Sequence, residues 1–208
     1  MRSPLRYVAA MANASKRSIS KQSKTINTME KSLTKVITGV VRLSYLHVWE
    51  PTSMQDGGPK KYSAALLIPK SDKETVKKIR AAIEAAKEAG LPKWGGKLPA
   101  NLKLPLRDGD AERPDDETYK GMYFVNASSS QQPGVLDSDK NEMIDKAKLY
   151  SGAYGKVDIN FYAFNTQGNR GVACGLNNIL KVKDGPALGG KEAASVAFAD
   201  VEVEDDDL

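Results

Sequence analysis

An alternating segment near the C-terminal end constrains the fold of this chain most strongly. Residues 156–164 alternate with the two-residue period of a β-strand. One face of that strand would carry Val157, Ile159 and Phe161, and the other would carry Asn160, Tyr162 and Phe164. The polar segment 165–169 (Asn-Thr-Gln-Gly-Asn) predicts a hairpin turn, and 171–183 a returning strand. A hairpin of this length indicates antiparallel β-structure.

Three other segments have the composition of strands: 36–49, 60–68 and 122–127. The first alternates over its whole length, which predicts one long strand. One of its faces would carry Ile37, Val41, Leu43 and Tyr45, and the opposite face Thr38, Val40, Arg42 and Ser44. Pro51 and the turn residues 56–59 would separate the first strand from the second, which would stop at Pro69.

One helix is predicted between the second and third strands. Ser71 is placed as its N-cap, with Glu74 as the capping-box partner. Apolar residues then recur at helical spacing, at Val76, Ile79, Ile83 and Ala86. Gly90 and Pro92 end the helix, and the proline-rich stretch 91–118 predicts irregular loops. The expected fold is mostly β with one or more inserted helices: a five-stranded barrel of the oligonucleotide-binding (OB) type with long loops.

Charge is distributed unevenly along the chain. The 208 residues include 31 Lys+Arg and 26 Asp+Glu, a formal net charge of +5. Residues 1–28 contain six basic residues and no acid, whereas 200–208 contain six acids and no base. We therefore expect a disordered basic arm over 1–28, a folded domain over 29–186 and a flexible acidic tail over 187–208. The arm also has the composition of an organelle transit peptide, and Met29 is an alternative translation start.

Several function classes are excluded by what the sequence lacks. A single cysteine, Cys174, excludes an internal disulfide framework and a multi-cysteine zinc site, and suits a reducing cytoplasm. The chain lacks the Gly-x-Ser-x-Gly nucleophile motif, and Leu98 stands where a phosphate loop needs Ser or Thr. No run approaches about 18 apolar residues. We expect a soluble protein with no membrane partner, cofactor or metal.

An acidic segment offers a catalytic alternative. It contains Asp108, Asp110, Glu112, Asp115, Asp116 and Glu117. Carboxylates hold Mg²⁺, so a metal-dependent nuclease or recombination enzyme could use this segment. However, ligands of such a site usually converge from several elements, and these acids lie in one short stretch. An exposed loop with salt bridges is the simpler interpretation.

Aromatic residues flanked by positive charge favour a different chemistry. Nucleobases stack on aromatic rings and phosphates pair with cations, so this interleaving suits an extended single strand. The predicted nucleic-acid contacts are Arg42, Lys60, Lys61, Tyr62, Trp94, Arg107, Tyr123, Tyr150, Tyr154, Tyr162, Phe164 and Arg170. Tyr162 and Phe164 are favoured among them, because the opposite face of their strand already supplies core residues.

An ordered set of short blocks resembles a known family. The blocks are Lys61-Tyr62-Ser63-Ala64, Leu67-Ile68-Pro69-Lys70, Trp94-Gly95-Gly96-Lys97, the segments 105–110 and 123–127, Tyr150-Ser151-Gly152, and the segments 160–164 and 175–179. From about Lys35 to the acidic terminus, the chain resembles the single-stranded DNA-binding proteins of tailed bacteriophages and prophages.

The resemblance implies an OB barrel without enzymatic activity. Such a protein coats single-stranded DNA during phage replication and recombination, in the cytoplasm of the bacterial host. The family's acidic C-terminal tail is matched by Glu204, Asp205, Asp206 and Asp207, which would contact replication or recombination proteins. Self-association of the chain is left open.

Overall fold

The computed structural model describes residues 33–53, 57–166 and 168–189. The predicted arm over 1–28 and the acids at 204–207 lie outside these residues. The strands in the described part are β1 (Lys35–Ile37), β2 (Val41–Thr52), β3 (Lys61–Pro69), β4 (Leu106–Asp108), β5 (Met122–Ser129), β6 (Gly134–Leu136), β7 (Tyr154–Thr166) and β8 (Asn169–Lys183). The helices are α1 (Lys73–Gly90) and the single turn α2 (Gly109–Glu112), with 3-10 turns at Leu91–Trp94, Glu117–Tyr119 and Lys146–Lys148.

Five of these strands close into a ring. The order around the ring is β2, β3, β5, β8 and β7, and β7 returns to β2 through the pair Val41 and Gly155. The neighbours are antiparallel except for β5 and β8, which run parallel. The strands β1 and β6 extend the sheet beside β7 and β8, and β4 pairs with β5. The predicted five-stranded, OB-type barrel is confirmed.

Burial follows the alternation predicted for the β7–β8 hairpin. Val157, Ile159 and Phe161 are buried inside the barrel, whereas Tyr162 on the opposite face is exposed. Helix α1 covers the interior from one side, and its buried residues join the same core, among them Val76, Ile79, Ile83 and Ala86. The core thus fixes which face of β7 points outward.

The N-cap of α1 is Asp72, so the prediction of Ser71 was wrong. The Asp72 carboxylate accepts a hydrogen bond from the Thr75 backbone N–H at 3.0 Å. Hydrogen bonding to the Thr75 side chain, and secondarily to this N–H, lowers the pKa of Asp72. The chain turns tightly just before the helix, since the Asp72 N–H donates to the Pro69 carbonyl at 2.9 Å. Glu74 forms an ion pair with Lys78, one helical turn later, instead of closing a capping box.

The predicted strand 36–49 is two strands, separated at residues 38–40. Gly39 passes against the start of α1, where a Cβ atom would lie 2.4 Å from an Asp72 carboxylate oxygen. A bulge in β2 shifts the register between Ser44 and His47, and Tyr45 there has a φ of 45°. Val41 and Leu43 are therefore buried as one face, but Ile37 and Tyr45 are exposed, contrary to the prediction.

The loop-rich prediction for 91–118 is confirmed in the main, although it missed β4. The three-residue strand β6 was also missed, because such short strands carry no periodic signal.

No helix among the described residues is long and apolar enough to cross a membrane.

Candidate nucleic-acid interface

The outer surface of the β7–β8 hairpin carries an exposed aromatic face. Outward residues of β7 (Asn160, Tyr162, Phe164) lie beside outward residues of β8 (Gly171, Ala173, Gly175), and Lys61 of β3 with Ser128 of β5 continue this surface. We call these eight residues the strand face. In OB folds the face of the second and third strands and the loops L12 and L45 bind oligonucleotides. By order around the ring, β3 and β5 are the second and third strands here and contribute Lys61 and Ser128, and the turn between β7 and β8 is loop L45.

Small residues on β8 let the β7 side chains lie across the sheet. A Cβ atom at Gly171 would come within 2.8 Å of the Phe164 ring, and one at Gly175 within 2.5 Å of the Asn160 side-chain oxygen. Tyr162 is paired with Ala173, the smallest residue with a Cβ atom. Larger side chains on β8 would lift the rings, so the small residues produce a flat surface.

Tyr162 is the exposed ring of the strand face. Its side chain is 41% exposed even though it sits in the middle of a long strand. Partial burial raises the pKa of its phenol, with a smaller contribution from Cys174. The ring therefore remains neutral at physiological pH, which is the form that accepts a base without repelling its phosphate.

Exposed cations lie on the strand face and beside it. Lys60 and Lys61 precede and begin β3, and Arg170 lies at the tip of the β7–β8 hairpin. None of the three forms an ion pair within the described part of the chain. Lys103 is a fourth cation at this surface, and sequence reasoning missed it. Its backbone forms a β-bridge with Gly171, and its Nζ lies 2.9 Å from the Asn169 side-chain oxygen. Its irregular loop offered no signal for this position.

Tyr62 and Trp94 are less accessible than the strand face. Tyr62 is half-buried and follows Lys61 on the opposite side of β3. Trp94 is buried at 6% exposure, and its indole N–H donates to the Phe164 carbonyl at 3.0 Å. The Trp94 ring is therefore engaged in packing and supports the end of β7 from beneath, a correction to its predicted place on a stacking surface.

Three other predicted contacts lie beneath residues 184–188, which we call the C-terminal strap. Arg42 donates to the Pro186 carbonyl at 2.9 Å, while its Nε is buried without a partner in the described part of the structure. The Tyr150 hydroxyl, with its single proton, lies within donating distance of two strap acceptors, the Gly185 carbonyl at 3.0 Å and the Asp184 carboxylate at 3.1 Å. Tyr154 lies within 6 Å of both the Arg42 guanidinium and the Lys183 ammonium.

The C-terminal strap includes the first residues of the predicted tail, which was expected to begin at residue 187. The Leu188 N–H donates to the Ser151 carbonyl at 2.7 Å, and Leu188 packs near Tyr119 and Phe124. Residues 187 and 188, which the sequence assigned to a flexible tail, therefore lie against the barrel.

The remaining predicted contacts, Arg107 and Tyr123, belong to a charged cluster beside β5. Arg107 pairs with Glu112 and lies 4.7 Å from the Phe124 ring centroid. Tyr123 lies between two cations, with Lys70 at 5.0 Å and Arg80 at 5.6 Å from its ring centroid. The structure thus divides the predicted residues among separate places, and only some share the strand face.

The acidic segment is occupied by internal pairing. Lys70 lies 2.6 Å from Asp108 and 2.7 Å from Asp110, and these hydrogen bonds raise the pKa of Lys70 and lower that of Asp110. Asp116 accepts from the Thr118 N–H, and Glu117 pairs with Lys120. Among the described residues, no group of three or more His, Cys, Asp or Glu side chains is placed to hold a metal ion. The nuclease alternative therefore gains no support.

Comparison with known proteins places the chain in a family. The family model described as the single-stranded DNA-binding protein of Enterobacter phage Enc34 matches residues 34–208. The chain belongs to this family. Protein p50 of Acyrthosiphon pisum secondary endosymbiont phage 1 is 32% identical over an alignment of 166 residues, and the match covers 75% of this chain and 87% of p50.

Solved structures agree with this assignment. The single-stranded DNA-binding protein of bacteriophage Enc34, in complex with single-stranded DNA, is 30% identical with a TM-score of 0.67. That match covers 75% of this chain and 90% of the Enc34 chain. The single-stranded DNA-binding protein gp2.5 of bacteriophage T7 is 16% identical with a TM-score of 0.55, covers 76% and 97% of the two chains, and supports the fold alone.

Proposed function

We propose that this protein binds single-stranded DNA with little sequence preference and coats it during phage or prophage replication and recombination. Its family membership and its similarity to a structure solved with single-stranded DNA support this proposal. The observation that carries it is the strand face, where the 41% exposed ring of Tyr162 lies beside Lys61, a cation without an ion pair in the described residues.

Bases stack on Tyr162 and Phe164 while phosphates meet Lys60, Lys61 and Arg170. Stacking of a base on an aromatic ring contributes about 1–3 kcal/mol and is sequence-tolerant, because every base has a π-face. Backbone phosphates contribute electrostatic attraction that is also independent of sequence. Duplex DNA hides its bases from the rings, and the protein therefore prefers a single strand.

The protein acts by binding and not by cleavage. Two observations support this part of the proposal: the family model describes a binding protein, and the acidic segment is paired with lysine and arginine. Incubation of end-labelled single-stranded DNA with the protein and Mg²⁺ tests both parts. A shifted but intact strand is expected; shortened products would overturn the non-enzymatic part, and an unshifted strand the binding part.

The domain organisation follows the same division. The barrel binds DNA, and the acidic residues beyond the C-terminal strap contact replication or recombination proteins of the host or phage. The bacterial cytoplasm is where such DNA is exposed. Pull-down of host lysate proteins by the full chain, compared with a chain truncated after residue 189, tests the role of the tail.

A further inference from the structure

A small polar cavity lies beside Tyr162 on the strand face. Its volume is about 250 Å³, and its lining includes Lys61, Ser128, Asn160, Tyr162, Gly175 and Asn177. Pockets for drug-sized ligands enclose roughly 300–1,000 Å³, so this open cavity has the scale of one flat ring. One wall is aromatic, one is polar, and a cation stands at the rim.

Asn160 is the amide of this cavity whose side chain is not engaged by another residue among those described. Its side chain makes no hydrogen bond to any part of the chain that the structure describes, and Gly175 leaves space for it. In contrast, the amides of Asn177 and Asn178 donate to the two carboxylate oxygens of Asp158, at 3.3 Å and 3.0 Å. Asn160 therefore presents an amino group that donates and a carbonyl oxygen that accepts to whatever enters the cavity.

We propose that this cavity receives one nucleobase of the bound strand, stacked on Tyr162, and that the Asn160 amide pairs with its hydrogen-bonding edge without choosing among the four bases. The inference rests on the proposed function and adds to it a base-binding subsite. Lys61 at the rim then meets the phosphate of the same or the adjacent nucleotide.

The chemistry of the amide explains the absence of choice. Adenine and cytosine each place an amino donor next to a ring-nitrogen acceptor, while thymine and guanine each place a ring N–H donor next to a carbonyl acceptor. All four edges thus offer one donor beside one acceptor. A primary amide satisfies every such edge by rotating about its terminal bond, since its oxygen accepts and its nitrogen donates.

A carboxylate at the same position cannot do this. It only accepts hydrogen bonds, and the edge that offers two adjacent donors is that of guanine, at N1–H and N2–H. The isosteric variant Asn160→Asp should therefore convert a tolerant site into a guanine-preferring one. On the scale of bidentate base contacts, we expect a preference for guanine of about 5- to 150-fold.

The experiment compares affinities for oligo(dT) strands in which every third nucleotide is dG, dA or dC, with unsubstituted oligo(dT) as the reference. A tolerant protein can shift along the strand until a substituted nucleotide occupies the cavity. Asn126→Asp is the matched control, because Asn126 is exposed on β5 two residues before Ser128 but does not line the cavity. It adds the same charge near the strand face and should weaken binding equally for all strands.

Asn160→Ala provides a second variant that adds no charge. It should weaken binding of all four strands alike, by about 2- to 12-fold, the net effect of one hydrogen bond. Guanine preference in Asn160→Asp together with a uniform loss in Asn160→Ala supports the subsite. A uniform loss in Asn160→Asp that equals the Asn126→Asp loss, or full affinity in Asn160→Ala, overturns it. Failure of the wild-type protein to bind any strand would instead overturn the proposed function.

Discussion

Replacing Tyr162 by alanine separates binding from folding. The ring is 41% exposed and lies outside the apolar core, so its removal should change the free energy of unfolding by no more than about 1 kcal/mol. If one base stacks on it, removal should cost about 1–3 kcal/mol of binding. Each 1.4 kcal/mol is a factor of ten, so the dissociation constant should rise by about 5- to 150-fold.

Fluorescence anisotropy of a labelled oligo(dT) at one fixed salt concentration measures this change, and thermal denaturation followed by circular dichroism checks the fold. Tyr45→Ala is the control, because Tyr45 is a 57% exposed tyrosine on β2 outside the strand face. The reasoning is refuted if Tyr162→Ala binds as tightly as wild type, if Tyr45→Ala weakens binding equally, or if Tyr162→Ala unfolds the protein.

Four further predictions follow from the same description. Phe164→Ala should weaken binding on a similar scale in the anisotropy assay while leaving the protein folded, and an unchanged affinity would remove Phe164 from the interface. The logarithm of affinity should fall with the logarithm of salt concentration at a slope of about −0.7 per neutralised phosphate, and Lys61→Ala should make a titration at several salt concentrations shallower by about that amount. Removing residues 200–208 changes the formal net charge from +5 to +11. If the tail competes with DNA, the truncated protein should bind more tightly at low salt, and equal affinities there would exclude competition. Asp72→Ala should lower the free energy of unfolding by about 0.5–2 kcal/mol in urea denaturation, whereas Ser71→Ala should change it little, since Asp72 is the residue that caps α1.

The β7–β8 hairpin was predictable because its structure is determined locally. A two-residue alternation and a polar turn specify both strands and the outward placement of Asn160, Tyr162 and Phe164. The predicted break of β3 at its proline and the existence of α1 depend on equally local signals. The six of the eight strand-face residues that lie on this hairpin could therefore be located without coordinates.

The burial of Trp94 and Tyr154 could not be predicted because it depends on tertiary contacts. An indole flanked by a lysine has the same local pattern whether it faces solvent or, as here, packs against the end of β7. The strap that covers Tyr154 comes from residues 184–188, whose small and polar residues carry no periodic signal. Alternation likewise cannot reveal the bulge at Tyr45, because a bulge adds one residue without changing composition.

The parallel pairing of β5 with β8 determines when, during synthesis, the strand face can be completed. Ribosomes release a chain from its N-terminus, at about 5–20 residues per second. Lys61 and Ser128 emerge first, but β5 cannot pair with Cys174 and Gly175 until β8 is made. Because contacts distant in sequence form slowly, ring closure follows completion of the β7–β8 hairpin. A nascent chain therefore has no complete strand face until β8 has been synthesised and has paired with β5.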